Sequence, residues 1–414
     1  MKGLMPTSHV YVVTGKDSYF DVLRQLKEVD NEFDAKQILV EPAALNTAPA
    51  ITYAVKHLSE VVKISKDVPI LIAPSDHYIA DVETYMKIVK NFSSKIGSYI
   101  GTIGITPTKP ETGYGYIRKG EMLSAYNAVL EFKEKPNLEV AKTYIASGEY
   151  VWNSGVYIFS IDTYISELQK HAPSIYEHFE KDMSIFLSDF SVMPSISIDY
   201  ALSEKSDRVV VYEGDFGWND IGSFDSLADL RESYEDKKHI SINSSNIFIY
   251  KDTDKVIATI GVDDLNIIDT RDGLLIKKRG TGEDVKKVVE KMKELKLKEA
   301  DHNLVGYRPW GKYEVLIDKK NHKVKKITVY EGAKSSLQSH GKRAEHWIII
   351  KGKAGVIHGE THSVLSENES TFIPPETKHR LENVGKGLLE IIEVQTGEYL
   401  GEDDIIRYQD DYGR

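Results

Sequence analysis

The 414-residue chain contains no cysteine, which excludes disulfide staples and thiolate zinc sites. Long hydrophobic runs are missing too. No apolar segment approaches the roughly 20 residues that span a bilayer, and the opening MKGLMPTSHVYVVTG lacks the apolar stretch of a secretory signal. Positive charge is in deficit, with 53 Lys and Arg against 64 Asp and Glu and a formal net charge of -11. A nucleic-acid backbone or an anionic membrane demands a basic face. No nucleic acid and no membrane is therefore expected as a partner, and the cytoplasm is the expected location. Low-complexity tracts and short repeats are also absent, which excludes solenoid folds.

What is present is an ordinary globular composition, 41% apolar and 28% charged, over a length that suits two or three domains. The first part alternates elements: β-branched HVYVVTG (9–15), amphipathic SYFDVLRQLKEV (18–29), a longer helical pattern in NTAPAITYAVKHLSEVVKI (46–64), then VPILIAPSDHYI, DVETYMKIVKNFSSKI and YIGTIGI. Strands alternating with helices predict crossover units on a parallel, doubly wound sheet, with a ligand crevice at the strands' carboxyl ends. A helical insertion is expected around 161–189. From about residue 240 the pattern shifts to short strands and turns. The charged helix EDVKKVVEKMKELKLKEA then serves as a connector, and after it come short strands punctuated by Gly, Pro and Asn. That last series predicts a small β-barrel or jelly roll.

Within it, Gly332, Gln338, His340, Glu345 and Gly352 are spaced G-x5-Q-x-H-x4-E-x6-G, and FIPPETKHRLEN adds His379 and, beyond it, Asn383. Residues two apart on a strand share a face, so Gln338 and His340 point into the barrel. The N and O donors of Gln338, His340, Glu345 and His379 suit zinc or another divalent first-row ion. The bland alternative is a barrel whose polar residues merely satisfy one another.

This spacing resembles the two motifs of the cupin superfamily, with glutamine in place of the first histidine. QSHGKRAEHW and PPETKHRLENVGKGLLEIIEVQTGEYLGEDDIIRYQDDYGR resemble, more closely, the type II phosphomannose isomerase domain. Two positions depart from it: Lys342 stands where His is common and Glu376 where Gly is common. The resemblance implies interconversion of mannose 6-phosphate and fructose 6-phosphate by proton movement between C1 and C2, which needs a positioned base. His346, Lys342 and Glu390 are the candidates, with strand parity leaving the faces of His346 and Lys342 undecided. Arg343 and Arg380 are expected to grip the phosphate; a solvated charge is the alternative for each.

In the first part, Asp76 (LIAPSDHY) and Asp220 (FGWNDIGSF) each stand between an apolar segment and a turn, where both can reach one crevice and share Mg²⁺. A lone Asp after a strand is more often a turn former or helix cap. The ordered stretches EPAALNTAPA, APSDH, PETGYGYI, FKEKP, WNSG and GWNDIGSF resemble the sugar-1-phosphate nucleotidyltransferases, specifically the mannose-1-phosphate guanylyltransferase family, whose long bacterial form ends in the isomerase domain.

The resemblance implies a nucleotidyltransferase-like domain over 1–236, a β-rich connector with a helix over 237–300 and a cupin-like isomerase domain over 301–414. It also implies Mg²⁺ on Asp76 and Asp220. Gly115, Glu134, Lys135 and Asn153 would then line the mannose pocket, and Glu41, Pro42, Asn46 and Thr47 would lie near the guanine. Mannose 1-phosphate would attack the α-phosphate of GTP, a reaction that depends on placement and charge neutralisation. Implied partners are mannose 6-phosphate, mannose 1-phosphate, GTP and GDP-mannose, with a homo-oligomer as a further expectation.

The family's first strand, glycine-rich phosphate loop and following lysine have no counterpart before His9. Ala44-Leu45 replaces its Gly-Arg pair. The isomerase is accordingly expected to be the better furnished activity, with weak or absent nucleotidyl transfer. The rivals are a non-catalytic sugar-nucleotide-binding or regulatory homologue and, more remotely, a polysaccharide-binding jelly roll.

Overall fold

The computed structural model describes residues 3–230, 238–281, 284–297 and 304–409, which fall into two units, Met1–Leu230 and Arg231–Arg414. The expected boundaries at 236/237 and 300/301, and residues 410–414 of the tail motif, lie outside the described residues.

Local rules set the helices of the first unit. Asn46, at φ 72, turns the chain so that its side chain accepts the Thr47 N–H and caps helix Thr47–His57, as short polar residues do. Asp81, Asn137 and Ser160 cap Val82–Ser93, Leu138–Ser147 and Ile161–His171 by accepting the N–H three residues on. The insertion expected around 161–189 is three helices, Ile161–His171, Pro173–Phe179 and Met183–Ser188.

Strands Val12–Gly15 and Ile38–Glu41 pair in parallel. A six-stranded sheet runs in the order Pro69–Ile72, Tyr150–Ser160, Ile100–Ile105, Val209–Glu213, Tyr126–Lys133, Tyr116–Leu123. This sheet is mixed where sequence periodicity predicts a parallel one. Tyr150–Ser160 runs antiparallel to both neighbours, and Tyr116–Leu123 folds onto Tyr126–Lys133 as a hairpin with Ser124 at φ 66. A two-residue turn can only join antiparallel strands.

Tyr150–Ser160 shows why the sheet is buried on both faces. Tyr157 and Phe159 join one core with Val55, Tyr164 and Phe190, whereas Trp152, Val156 and Ile158 join another with Phe92 and Phe216. Alternation along one strand thus feeds two apolar layers.

In the second unit, Ser245–Lys251, Asp263–Asp269 and Leu274–Lys278 form a three-stranded sheet and Asp284–Glu294 is the connector helix. His239–Ile242 and Ile257–Ile260 pair in parallel, as Ser245–Lys251 and Asp263–Asp269 do, a stacking of short parallel strands that corrects the exclusion of solenoid folds: the stacked strands need no sequence repeat. The strands after residue 304 form a sandwich of two sheets. One runs Val305–Arg308, Gly311–Asp318, His322–Val329, Leu389–Gly397, Arg343–Lys351, Ser370–Ile373; the other runs Thr361–Leu365, Ala354–His358, His379–Asn383, Leu337–His340, Ile405–Gln409. Trp310, Val329, Trp347, Ile349, Val356, Leu381, Leu389 and Ile391 fill the space between. Gly332 and Gly352 of the spaced motif sit at φ 69 and φ 90, a region that L side chains rarely adopt. On Leu389–Gly397 the buried positions run Leu389, Ile391, Glu393, Gln395, so the inner layer changes from apolar to ionisable along a single strand.

Candidate functional site

The polar end of that layer gathers the expected ligands. His340, Glu345 and His379 are almost wholly buried, and one ligand atom from each lies within 4.8 Å of the others. Gln338 and His379 are direct cross-strand partners. Gln338 lines the adjoining cavity with Arg343, Glu345, Trp347, Glu393 and Gln395, and its Oε1 accepts a bond from Ser336 Oγ at 2.9 Å.

Glu345 anchors the centre. Its Oε1 is 3.1 Å from His340 Nε2 and 3.3 Å from Arg343 Nε, and it accepts from Gln395 Nε2 at 3.2 Å. Its Oε2 accepts from Trp347 Nε1 at 3.1 Å and is 3.6 Å from His379 Nε2. Burial pushes the Glu345 carboxyl up, but the His340 hydrogen bond and the charges of His379, His340 and Arg343 outweigh it and hold the group below the usual carboxylate range.

His379 Nδ1 is 2.8 Å from the Thr377 carbonyl, to which it can donate. That leaves Nε2 buried and without a hydrogen-bond partner beside Glu345. Burial also lowers the pKa of His379, which favours the neutral ring. A neutral imidazole with one nitrogen tied to a carbonyl and a bare lone pair on the other is the state in which histidine ligates a metal. With a carboxylate and a second imidazole in reach, these residues fit a divalent ion.

The expected bases and phosphate grips are placed differently. Glu345 faces inward on Arg343–Lys351, so His346 faces out, against the Phe372 ring at 4.6 Å. Lys342 is exposed over Tyr399. Glu390, out of phase with Glu393, pairs with Lys326 at 3.1 Å. None of these three candidates for the base is on the inner face. Arg343 does point inward, but it is buried against Glu345 and the Gly401 carbonyl. Arg380 follows His379 on its strand and so projects to the opposite face; it donates to the Gln409 carbonyl at 3.4 Å. Asn383 bonds the Val329 and Gly387 carbonyls and holds a turn.

Sequence reasoning missed Glu393, Gln395 and Trp347. Trp347 Nε1 lies 3.1 Å from both Glu345 Oε2 and Glu393 Oε2, and Gln395 Nε2 lies 2.7 Å from Glu393 Oε1. Burial, with the neighbouring Glu345 charge, pushes the Glu393 carboxyl up to about 8 against Lys325 and Arg343. The signal was the alternation in LEIIEVQ, which puts Glu393 and Gln395 in phase with Leu389 and Ile391.

In the first unit a short ribbon sets the two expected Mg²⁺ carboxylates, Asp76 and Asp220, near His77, on which both charges act. Tyr78 pairs with Asn219 and Ile79 with Trp218, which sets Asp220 opposite His77 and next to the Asp76 turn. Burial lowers the His77 pKa while Asp76 and Asp220 oppose it, and Trp218 Nε1 donates to its Nδ1 at 3.2 Å. Asp220 Oδ1 accepts from Tyr114 OH at 2.7 Å and from the Gly222 N–H at 3.0 Å.

Tyr114 leads directly into the second group. The Gly115 carbonyl accepts the Asn153 N–H at 2.8 Å, and a Cβ on Gly115 would fall 2.6 Å from Glu134 Oε2, so a side chain there would displace that carboxylate. Burial first, then the Asp199 charge, push the Glu134 carboxyl up to about 7 against the pull of Lys135, whose Nζ is 3.3 Å away.

Gly115, Glu134, Lys135 and Asn153 thus come together. Asn46 and Thr47 instead hold backbone: Asn46 is the helix cap and Thr47 Oγ1 accepts the Ile198 N–H at 2.9 Å. Glu41 ends strand Ile38–Glu41, and burial raises its carboxyl. Leu45, where the family carries Arg, packs against the apolar core.

Three family models match the chain in order: nucleotidyl transferase over residues 4–237, the MannoseP isomerase/GMP-like beta-helix domain over 237–292, and mannose-6-phosphate isomerase C-terminal over 295–410. Curated proteins named mannose-1-phosphate guanylyltransferase match along almost all of it. One from Salmonella montevideo is 42% identical over 97% of this chain and 88% of its own length. The chain belongs to the mannose-1-phosphate guanylyltransferase family with a fused isomerase domain. Within that family, one from Escherichia coli is 39% identical over 97% of this chain and 88% of its own length. A crystal structure named mannose-1-phosphate geranyltransferase, from Thermus thermophilus, aligns with TM-score 0.61 and 28% identity over 70% of this chain and 86% of that one. Among the described residues no helix is long and apolar enough to cross a membrane.

Proposed function

We propose that the chain serves GDP-mannose formation through two sites. The second unit interconverts mannose 6-phosphate and fructose 6-phosphate. The first binds mannose 1-phosphate and a guanine nucleotide, which combine to GDP-mannose with release of diphosphate. The observation that carries this reading is the convergence of His340, Glu345 and His379, with His379 Nε2 bare, inside the isomerase domain of a guanylyltransferase family member.

His340, Glu345, His379 and Gln338 would hold the divalent ion. When bound, such an ion polarises the sugar's oxygens and offsets the negative charge that develops as the proton moves. The remaining work falls to the chain itself. Arg343, Trp347 and Gln395 fix the Glu345 carboxylate by hydrogen bonds, and Glu393 presents a second buried carboxyl to the same cavity for proton exchange with the sugar. In the first unit Asp76 and Asp220 would hold Mg²⁺. Glu134 and Lys135 would meet the hexose, with Asn153 behind them, and Lys135 would supply positive charge.

The test uses the purified full chain. Conversion of mannose 6-phosphate should disappear with EDTA and return with a divalent ion, with Zn²⁺, Mn²⁺, Co²⁺ and Mg²⁺ compared. Separately, mannose 1-phosphate and GTP with Mg²⁺ should be followed for GDP-mannose, alongside direct binding of each sugar. Isomerisation that survives both EDTA and the His379→Ala change defeats the reading of the second unit. Failure to bind either mannose 1-phosphate or GDP-mannose defeats that of the first.

A further inference from the structure

Asn153 is the pocket residue expected to meet the hexose, yet its amide is already saturated. Oδ1 accepts from Thr102 Oγ1 at 2.7 Å and from the Gly155 N–H at 3.2 Å. Nδ2 donates to Asp199 Oδ1 at 3.0 Å and lies 3.4 Å from Tyr157 OH. A side-chain amide has two donor hydrogens and two acceptor lone pairs, so none remains for a sugar hydroxyl.

The carboxylate that takes up this amide is only half used. Asp199 Oδ1 also accepts from Tyr157 OH at 2.6 Å, whereas Oδ2 has no hydrogen-bond partner among the described residues. Tyr157 is fully buried and its hydroxyl meets Ser203 Oγ at 3.0 Å.

The backbone carrying Asp199 is fixed from the other side. The Ile196 N–H donates to the Leu45 carbonyl, the Ile196 carbonyl accepts the Ala48 N–H, and the Ile198 N–H donates to Thr47 Oγ1 at 2.9 Å. Asp199 then opens a π-helical turn, Asp199–Ser203. Such turns are rare and recur at functional sites. A carboxylate held this firmly, one oxygen engaged and the other open, beside Glu134 and Gly115, is a preorganised hydroxyl acceptor.

We propose that Asp199 is a sugar-contacting residue of the first unit, its Oδ2 accepting a hydroxyl of the hexose while Asn153 and Tyr157 hold the carboxylate in place. The inference rests on the reading that this unit binds a mannose phosphate. Glu134, whose carboxyl keeps its proton near neutrality partly because of the Asp199 charge, supplies the complementary donor. An acceptor beside a protonated carboxyl suits two neighbouring hydroxyls. Asn153 becomes a positioning residue.

The experiment is equilibrium binding of GDP-mannose and mannose 1-phosphate to the full chain by calorimetry. Asp199→Asn keeps the volume and removes the charge; about 30-fold weaker binding is expected, the scale of one hydrogen bond to a charged acceptor. Tyr157→Phe leaves the charge but frees the carboxylate, and a loss of about 5-fold is expected. Isomerisation by the second unit should stay at the wild-type value in Asp199→Asn.

Singly deoxygenated GDP-mannose analogues give a readout that a packing defect would not move. The analogue lacking the contacted hydroxyl should bind wild type and variant alike. Affinity of Asp199→Asn for GDP-mannose within about 3-fold of wild type, or an equal loss for every analogue, overturns the proposal. A wild-type chain that binds no mannose phosphate overturns the underlying reading and the proposal with it, a result distinct from binding that ignores Asp199.

Discussion

Trp347→Phe tests the view that the second unit holds two buried carboxylates apart with one shared donor. The indole N–H is 3.1 Å from Glu345 Oε2 and 3.1 Å from Glu393 Oε2, and Trp347 is 2% exposed. Phenylalanine removes the donor from between them. Losing a hydrogen bond to a buried charged group costs about 1.5–3 kcal/mol, and shrinking the ring in a packed layer adds roughly 1–2 kcal/mol, a fraction of the 3–5 kcal/mol of a full Trp→Ala deletion.

The expected loss is thus about 2.5–5 kcal/mol without metal. Glu345 would be among the residues holding a divalent ion, whose charge would offset the lost donor, so with saturating metal the deficit should shrink to roughly the ring contribution of 1–2 kcal/mol. Trp310→Phe, in the same apolar cluster and lining the same cavity but with no hydrogen bond to either carboxylate among the described residues, isolates the ring contribution and should be indifferent to metal. The assay is unfolding followed by calorimetry with EDTA or saturating Zn²⁺. The chain has two units and need not unfold in one step, so the transition that moves with metal is the one to read. A Trp347→Phe deficit no larger than that of Trp310→Phe, or the same with and without metal, refutes the shared-donor account.

Other outcomes follow from the same geometry. Glu134→Gln should change the pH dependence of the first unit. The folded carboxyl keeps its proton up to about 7 while the unfolded one loses it near 4.5. The stability it contributes is therefore complete below 4.5 and lost as pH rises through 7. The variant should match wild type at pH 4 and exceed it by up to about 3 kcal/mol at pH 8, at 1.36 kcal/mol per pH unit; parallel denaturation curves across that range would contradict this. Glu376→Gly should stabilise the second unit by at most about 1 kcal/mol, because Glu376 sits at φ 63, where a side chain costs roughly 1–2 kcal/mol that glycine's looser unfolded state partly returns. A lower transition temperature for that variant would show that the glutamate side chain supports its turn.

Parity explains what could be read from the sequence and what could not. Once Glu345 is assigned inward, Arg343 and Trp347 must follow it and His346 must face out; likewise His379 inward sends Arg380 outward, and LEIIEVQ sends Glu393 and Gln395 inward with Leu389. Spacing therefore contained the side-chain directions of the His340, Glu345 and His379 cluster, including those of residues that no motif names. It did not contain the partners. Whether an inward arginine meets a phosphate or a buried carboxylate depends on what the neighbouring chain presents, and Arg343 meets Glu345 and the Gly401 carbonyl, 58 residues away.

The mixed sheet was hidden for a similar reason, since periodicity reports the faces of Tyr150–Ser160 but not the direction of its neighbours. Asp199 was the least legible of all. It lies 46 residues from Asn153, in an irregular segment with no period, and its role exists only because Thr47, Leu45 and Tyr157 converge on that segment from distant parts of the chain. An acidic residue becomes a candidate ligand contact through such convergence: Asp162 heads a regular helix in plain view of the pattern, whereas Asp199 heads a π turn clamped on two sides and keeps one oxygen open beside Glu134.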